Sequence, residues 1–299
     1  MAKNMIPDRP NPLNDYLFFR TFGEKGDEEQ LLVLLNAVLQ QAGNGAIADI
    51  EIVESTKLTA RVLKDKTSVL DVRARTPDAR LNIEVQLHNQ HNMAKRSLYY
   101  WSKEFSMALD KGGKYENLPK VLTVNILNFD FLQIDGFHGS FHLREDSNPD
   151  CMLTDALEMH FLEMPKFRRM PKRDLSIPLH RWLTYFDRET DEKTIKDILN
   201  MDTTIKKVHR TTASLLRDKE TARAYYMRQI GIMDREGELA YSRAEGRAEG
   251  RAEGRENRDK ELVLYRCTKG DSPEQIADLL CIPVTQVEQI MREHKQSNS

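Results

Sequence analysis

Cysteine is scarce in this sequence and carries no pattern. The 299 residues hold three, Cys151, Cys267 and Cys281, and none forms a Cys-x-x-Cys pair. An odd, scattered set supports neither a disulfide framework nor a structural zinc, and it fits a reducing cytoplasm. No apolar run approaches the roughly 18 residues needed to span a bilayer, and the opening MAKNMIPDRPNP has no apolar signal core, so neither a membrane nor an export role is expected. Excess charge of one sign is also absent. The formal net charge is -2, so any surface for a polyanion has to be local. P-loop, GxSxG, zincin and dinucleotide fingerprints are missing, which leaves most other enzyme classes without support. With 39% hydrophobic and 31% charged residues, the chain is polar but well within the globular range, long enough for one large domain or two smaller ones.

The chemistry-bearing stretch is 69–88, VLDVRARTPDARLNIEVQLH. Proline followed by Asp at 77–78 is a turn signal between two alternating runs, so the stretch reads as a β-hairpin. Side chains alternate along a strand, which puts Asp71, Arg73 and Arg75 on one face of the incoming strand and Asn82, Glu84 and Gln86 on one face of the outgoing strand. Folding symmetrically about Pro77-Asp78 sets Asp71 opposite Glu84. Facing carboxylates repel across roughly 5 Å. A hard divalent cation between them reverses the sign, since Mg²⁺ takes carboxylate and water oxygens. The ordinary alternative is a solvated polar face.

Around this hairpin the pattern is α/β. Asp27 heads a helix over 28–41 that is apolar nearly all round and suits a place under a sheet. Residues 47–55 alternate as a strand. A helix is expected over 93–111, closed by Gly112-Gly113, with Ala94, Leu98, Trp101, Phe105 and Ala108 turned to the core. Arg96, Tyr99, Tyr100 and Lys103 then lie on the adjoining side, either as phosphate contacts or as a solvated face. The run 119–129, PKVLTVNILNF, is a buried strand, and strand-like pieces follow at 137–143 and 153–162. From about 175 onward only helices are expected, over 177–187, 191–200, 203–218 and 219–240.

The segment 242–257 repeats Arg-Ala-Glu-Gly. Like charges at i,i+4 and a glycine every fourth residue weaken a helix, so a partly frayed helical linker is expected, unless close packing on the small-residue stripe rescues it. The last forty residues regain pattern: Ser272-Pro273-Glu274 starts a helix, Cys281-Ile282-Pro283 turns, and a second short helix follows. The pair resembles a helix-turn-helix unit, whose second helix carries Thr285, Gln286, Gln289 and Arg292, although packing alone explains it as well. The expected boundaries are 1–170, 171–241, 242–258 and 259–299.

Several segments in order carry a resemblance: NDYLFFRTFG, LLNAVL, VLDVRART, LNIEVQLHNQHNMAKRSLYYWSKEF and LPKVLTVNIL. They resemble the PD-(D/E)XK nuclease superfamily, and within it the bacterial recombination-promoting nuclease and transposase family. The matched motif positions are Asp15 with Phe18, Phe19 and Arg20; then Asp71; Glu84 with Gln86; and Arg96 with Tyr100. The resemblance implies a restriction-endonuclease-like mixed sheet flanked by helices, followed by an all-α C-terminal region. It also implies a Mg²⁺-dependent DNA endonuclease, with Mn²⁺ as a substitute, acting in recombination or transposition. Asp71, Glu84 and the Val85 carbonyl would be metal ligands, and Gln86 stands where the superfamily usually has Lys. Arg96, Tyr100 and Lys103 would meet DNA, and Asp15 would add an outer carboxylate or merely cap a helix. His88 and His91 are expected to be solvated. The rival expectation is a DNA-binding or oligomeric protein that keeps the fold without the activity, assembled through its helical C-terminal half.

Overall fold

The computed structural model describes residues 9–53, 72–109 and 112–297. It divides into two compact units, Met1–Ile232 and Met233–Ser299.

The first unit begins with helix α1 (Asp15–Phe22), capped by the Asn14 side chain, whose Oδ1 accepts from the Leu17 N–H at 3.1 Å. Helix α2 (Glu28–Gln41) follows, with Leu31, Leu34, Leu35 and Val38 buried as its sequence required. Strand β1 (Glu51–Ile52) lies within the predicted 47–55 and starts later than it, while residues 54 and 55 lie outside the described residues. Its upstream residue Ile47 is tied at both N–H and C=O to the Asn36 side-chain amide, at 2.8 and 2.9 Å, which takes the place of a neighbouring strand. Strands β2 (Val72–Arg75) and β3 (Ala79–Gln86) form the expected hairpin. Thr76 closes its turn, with its N–H bonded to the Ala79 carbonyl at 2.9 Å and its Oγ1 accepting from the Asp78 and Ala79 N–H groups. The register is Val72 opposite Ile83 and Arg73 opposite Asn82, the pairing that symmetry about Pro77-Asp78 demands.

Helix α3 (Met93–Met107) carries the chain over to β4 (Lys120–Leu127), which lies parallel to β3. Strand β5 (His138–Arg144) is a sheet edge, antiparallel to β6 (Met152–Glu163), and β6 is parallel to β4. The order across the six-stranded mixed sheet is β1-β2-β3-β4-β6-β5. Leu81, Ile83, Val85, Leu122, Val124 and Ile126 pack on one face against α1, α2 and helix α5 (Pro178–Phe186), which follows the short α4 (Met164–Arg168). The other face carries Glu84 and Asn125 beside a smaller apolar cluster of Met93, Leu127, Leu157, Met159 and Phe161. Helices α6 (Glu192–Met201) and α7 (Thr203–Leu215) complete the layer with α1 and α2. This is the α/β sheet with flanking helices and a helical C-terminal region that the sequence called for.

Helix α8 (Lys219–Thr268) runs unbroken through the Arg-Ala-Glu-Gly repeat. A Cβ added at Gly246, Gly250 or Gly254 meets nothing within 4 Å, so the glycine stripe is solvated rather than packed. The repeat is regular helix, not the frayed segment expected from its charges. In the second unit, α9 (Pro273–Leu280) opens with a capping box between Ser272 and Gln275, turns at Cys281 with φ 54°, and leads into α10 (Val284–Ser297). Val263, Ile276, Ala277, Val287 and Ile290 form its core. No helix among the described residues is long and apolar enough to cross a membrane.

Candidate active site

The polar side of β3 is not a solvated face. Asn82, Glu84 and Gln86 are buried along with the apolar residues between them, and Glu84 is 1% exposed. The cause is α3, which lies over this side of the sheet. Its inner surface is Met93, Arg96, Ser97, Tyr100 and Glu104, whereas Leu98, predicted to face the core, is 49% exposed. Of the stripe expected to face the core, Trp101 packs against the apolar cluster on this face and Phe105 and Ala108 are half-buried, while Ala94 and Leu98 are exposed, so the buried stripe is rotated toward Met93, Ser97 and Arg96 in the first turns of the helix. The sheet surface below is polar, and a polar helix face satisfies it better than leucine would.

Arg96 carries the contact. Its Nε donates to Glu84 Oε1 at 2.7 Å and its Nη2 lies 2.6 Å from the same oxygen, while the guanidinium sits 5.2 Å from the Tyr100 ring centroid. Gln86 Nε2 also donates to Glu84 Oε1, at 2.6 Å. Two hydrogen bonds, from Arg96 Nε and Gln86 Nε2, therefore converge on one carboxylate oxygen, with Arg96 Nη2 in charge contact beside them. The other, Oε2, is buried and has no hydrogen-bond partner among the described residues. Burial pushes the Glu84 carboxyl above the usual carboxylate range, although Arg96 and Gln86 pull it the other way. Val85, between them, has its side chain in the opposite core. The Gln86 carbonyl accepts from the Asn128 N–H at 2.9 Å on the β4 side, so the alternating Val85 carbonyl is directed toward the β2 side.

Neighbouring residues extend this polar layer. Asn125, opposite Glu84 in the β3–β4 register, accepts from Ser97 Oγ at 3.2 Å and donates to the His160 carbonyl at 3.1 Å. Neither Ser97 nor Asn125 was singled out from sequence, although a lone asparagine in the apolar run VLTVNIL was a legible signal. Arg73 of β2 reaches Glu104 of α3 at 3.3 Å, which ties the hairpin to the helix. Lys103 is exposed, and so is His91, while His88 is half-buried. Asp71 lies outside the described residues, and among those described no three His, Cys, Asp or Glu side chains gather as a metal-holding group.

Asp15 is not brought to Glu84. It sits on α1, whose apolar residues belong to the core on the other face of the sheet, and its Oδ2 lies 3.2 Å from Arg228 Nη1. Asn14, not Asp15, caps that helix. Burial raises the Asp15 carboxyl despite Arg228, so its position is explained by an internal ion pair.

The donor set suits a hard divalent cation. Glu84 Oε2 is a desolvated carboxylate oxygen with no hydrogen-bond partner among the described residues, with a side-chain amide and the Val85 carbonyl next to it in sequence, and such cations take oxygen ligands. No curated protein and no solved structure matches the sequence. A family model does, over residues 12–242, and its description is PD-(D/E)XK nuclease family transposase. With Glu-x-Gln at the end of β3 and the Arg-x-x-x-Tyr helix folded onto it, the chain belongs to the PD-(D/E)XK nuclease family transposases.

Proposed function

We propose that this protein is a Mg²⁺-dependent DNA endonuclease, with Mn²⁺ able to replace Mg²⁺, and that it serves recombination or the movement of a genetic element. The observation that carries the reading is the asymmetry of Glu84: one oxygen held by Arg96 and Gln86, the other buried and without a hydrogen bond among the described residues. Asp71, Glu84 and the Val85 carbonyl are the proposed ligands. The β2–β3 register supports the pairing of Asp71 with Glu84, because it is the one from which that pairing was derived. A bound divalent cation supplies charge relief on phosphate oxygens and a more acidic water.

The remaining work falls to this chain's own side chains. Arg96 and Gln86 fix the Glu84 carboxylate in one rotamer, so its open oxygen keeps a single direction. Gln86 cannot act as a base or carry charge, since an amide does not titrate; its role is to orient Glu84 and to offer its Oε1 to a water or a phosphate oxygen. Arg96, Tyr100 and Lys103 are the proposed DNA contacts, Lys103 as an exposed cation on the outer side of α3 and Arg96 and Tyr100 from its inner side, where a phosphate entering beside Glu84 would meet them. Self-association is assigned to the helical C-terminal half, so removing residues 240–299 should alter assembly and leave cleavage intact.

The test is cleavage of supercoiled plasmid across a Mg²⁺ and Mn²⁺ titration, with Asp71→Ala and Glu84→Ala alongside. Metal-dependent nicking lost in both variants is the expected result. Wild-type protein that binds DNA in a salt-dependent manner but never cuts it with either metal would leave a binding protein on a nuclease fold, and the endonuclease reading would fall.

A further inference from the structure

Strands β3, β4 and β6 are parallel, and their carboxyl ends fall in one row: Gln86 opposite Leu127, Leu127 opposite Glu163. Ligands of open α/β sheets gather at such ends. Gln86 marks one end of the row. Immediately past the other end comes residues 166–173, KFRRMPKR, with five basic residues in eight, in a chain whose net charge is -2.

This segment is strapped onto the loop that follows β4. Lys166 Nζ donates to the Leu132 carbonyl at 2.7 Å and to Glu163 at 2.6 Å. Arg168 Nη1 donates to Asn128 Oδ1 at 3.0 Å, and Asn128 is the residue whose N–H is bonded to the Gln86 carbonyl. Arg169 reaches Asp130 at 2.8 Å. The fully buried Asp187 then grips two arginines at once, Arg168 Nε at 2.9 Å through Oδ1 and Arg173 Nη1 at 3.2 Å through Oδ2. Arg173 is further stacked 5.1 Å from the Phe167 ring. Two guanidinium groups share one buried carboxylate, so that against Glu163, Asp130, Asp187 and the following Asp174 the five cations keep a net charge of about +1, with Arg168 and Arg173 held in place.

We infer that the basic segment 166–173 is a phosphate-binding platform for the DNA backbone, lying alongside the site at the carboxyl end of β3. Arg169 and Lys172 are the direct contacts, and Arg168 and Arg173 are positioning residues held by Asp187. Arg169 is 59% exposed and its ion pair with the equally open Asp130 is worth little in water, so a phosphate competes for it readily. Lys172 is exposed, and its neighbour Asp174 is exposed too, so their mutual attraction is screened by water as that of Arg169 and Asp130 is. An internal brace explains the buried Asp187 grip, but it does not call for the two outward cations. The inference rests on the endonuclease reading for its substrate and stands apart from it in the measurement.

The experiment measures binding of full-length protein to a labelled DNA duplex in Ca²⁺ or EDTA, over a series of KCl concentrations, for wild type and for the R169Q/K172Q double variant. Each lost phosphate contact should lower the slope of log K against log salt by about 0.9, so a reduction of nearly 2 is expected, similar for duplexes of different sequence. An unchanged slope, or wild-type protein that binds no duplex, overturns the platform. Plasmid cleavage is scored separately. Binding with the reduced slope but no cutting in any metal removes the endonuclease reading and leaves the platform standing, and cutting with an unchanged slope does the reverse.

Discussion

Two glutamates are buried on opposite faces of the same sheet, and their surroundings differ in one respect. Glu158 of β6 has both oxygens engaged: Oε1 accepts from Asn44 at 2.5 Å and from His160 at 2.7 Å, and Oε2 meets Lys120 Nζ. Burial pushes its carboxyl up, but the His160 and Lys120 contacts outweigh that and hold it down to about 2. Glu84 crowds its partners onto a single oxygen, keeps the other open, and is shifted upward. A carboxylate that is fully partnered stabilises the fold. One that is desolvated and half-partnered costs stability and is poised to take a further cation. What separates the two is charge: Glu158 has an ion-pair partner, Lys120, at Oε2 in addition to its bonds at Oε1, whereas the cationic partner of Glu84 sits wholly on Oε1.

The largest expected effect separates these roles. Glu84→Gln should lower metal-dependent cleavage by about 10²-fold or more, while its stability loss, the stranding of Arg96 offset by relief of a desolvated charge, should stay smaller than that of Glu158→Gln. Glu158→Gln should do the opposite: it strands Lys120 and His160 and costs about 2–3 kcal/mol, below the usual range for a broken buried pair because Lys120 is one-third exposed. Parallel plasmid cleavage and urea unfolding read both, and equal stability losses would erase the distinction.

Ser97→Leu comes next. It drives a larger side chain into the polar layer between α3 and Asn125 and should cost about 1–3 kcal/mol in the same unfolding assay. Its neighbour Leu98→Ser, on the exposed side, should stay within about 0.5 kcal/mol. Were the two reversed, the face of α3 assigned to the sheet would be wrong.

Protons sharpen the comparison further. His138 Nε2 lies 2.9 Å from His160 Nδ1, and burial together with His160 holds the His138 imidazole down to about 4. The unfolded chain takes up this proton near pH 6.5 and the folded one only near 4. The unfolded state therefore binds more protons in that window, and stability should fall as pH drops from about 6.5 to about 4, with a slope approaching one proton. Chemical denaturation over pH 4–7 checks this, and His138→Gln should flatten the slope. On the Glu84 side the upward shift means that a proton competes with metal above the ordinary glutamate range, so metal affinity should begin to weaken there as pH falls. Calorimetric titration of Mg²⁺ or Mn²⁺ against pH measures it. Arg96→Gln should move the onset higher still, because Arg96 is the main group that opposes burial.

Much was legible in the chain itself. Pro77-Asp78 between alternating runs gave the hairpin and its register, because a two-residue turn leaves only one pairing that keeps Val72, Ala74, Ile83 and Val85 together in the core. Strands β4 and β6 were visible as β-branched and alternating runs, and Ser272-Pro273 announced α9 by its cap. Local signals of this kind depend on neighbours within a few residues. Tertiary structure decided the rest. Which stripe of α3 turns inward depended on a polar sheet surface contributed by β3 and β4, at distances in sequence that no helical period records. The continuity of α8 through its glycine repeat ran against local propensity. Above all, sequence placed Glu84 beside Gln86 on one face, but only the packing of Arg96 from α3 satisfied one of its oxygens and left the other without a hydrogen bond among the described residues. The shift of a buried carboxylate is set by what surrounds it in space, and the groups that set it here come from β3 and α3 together.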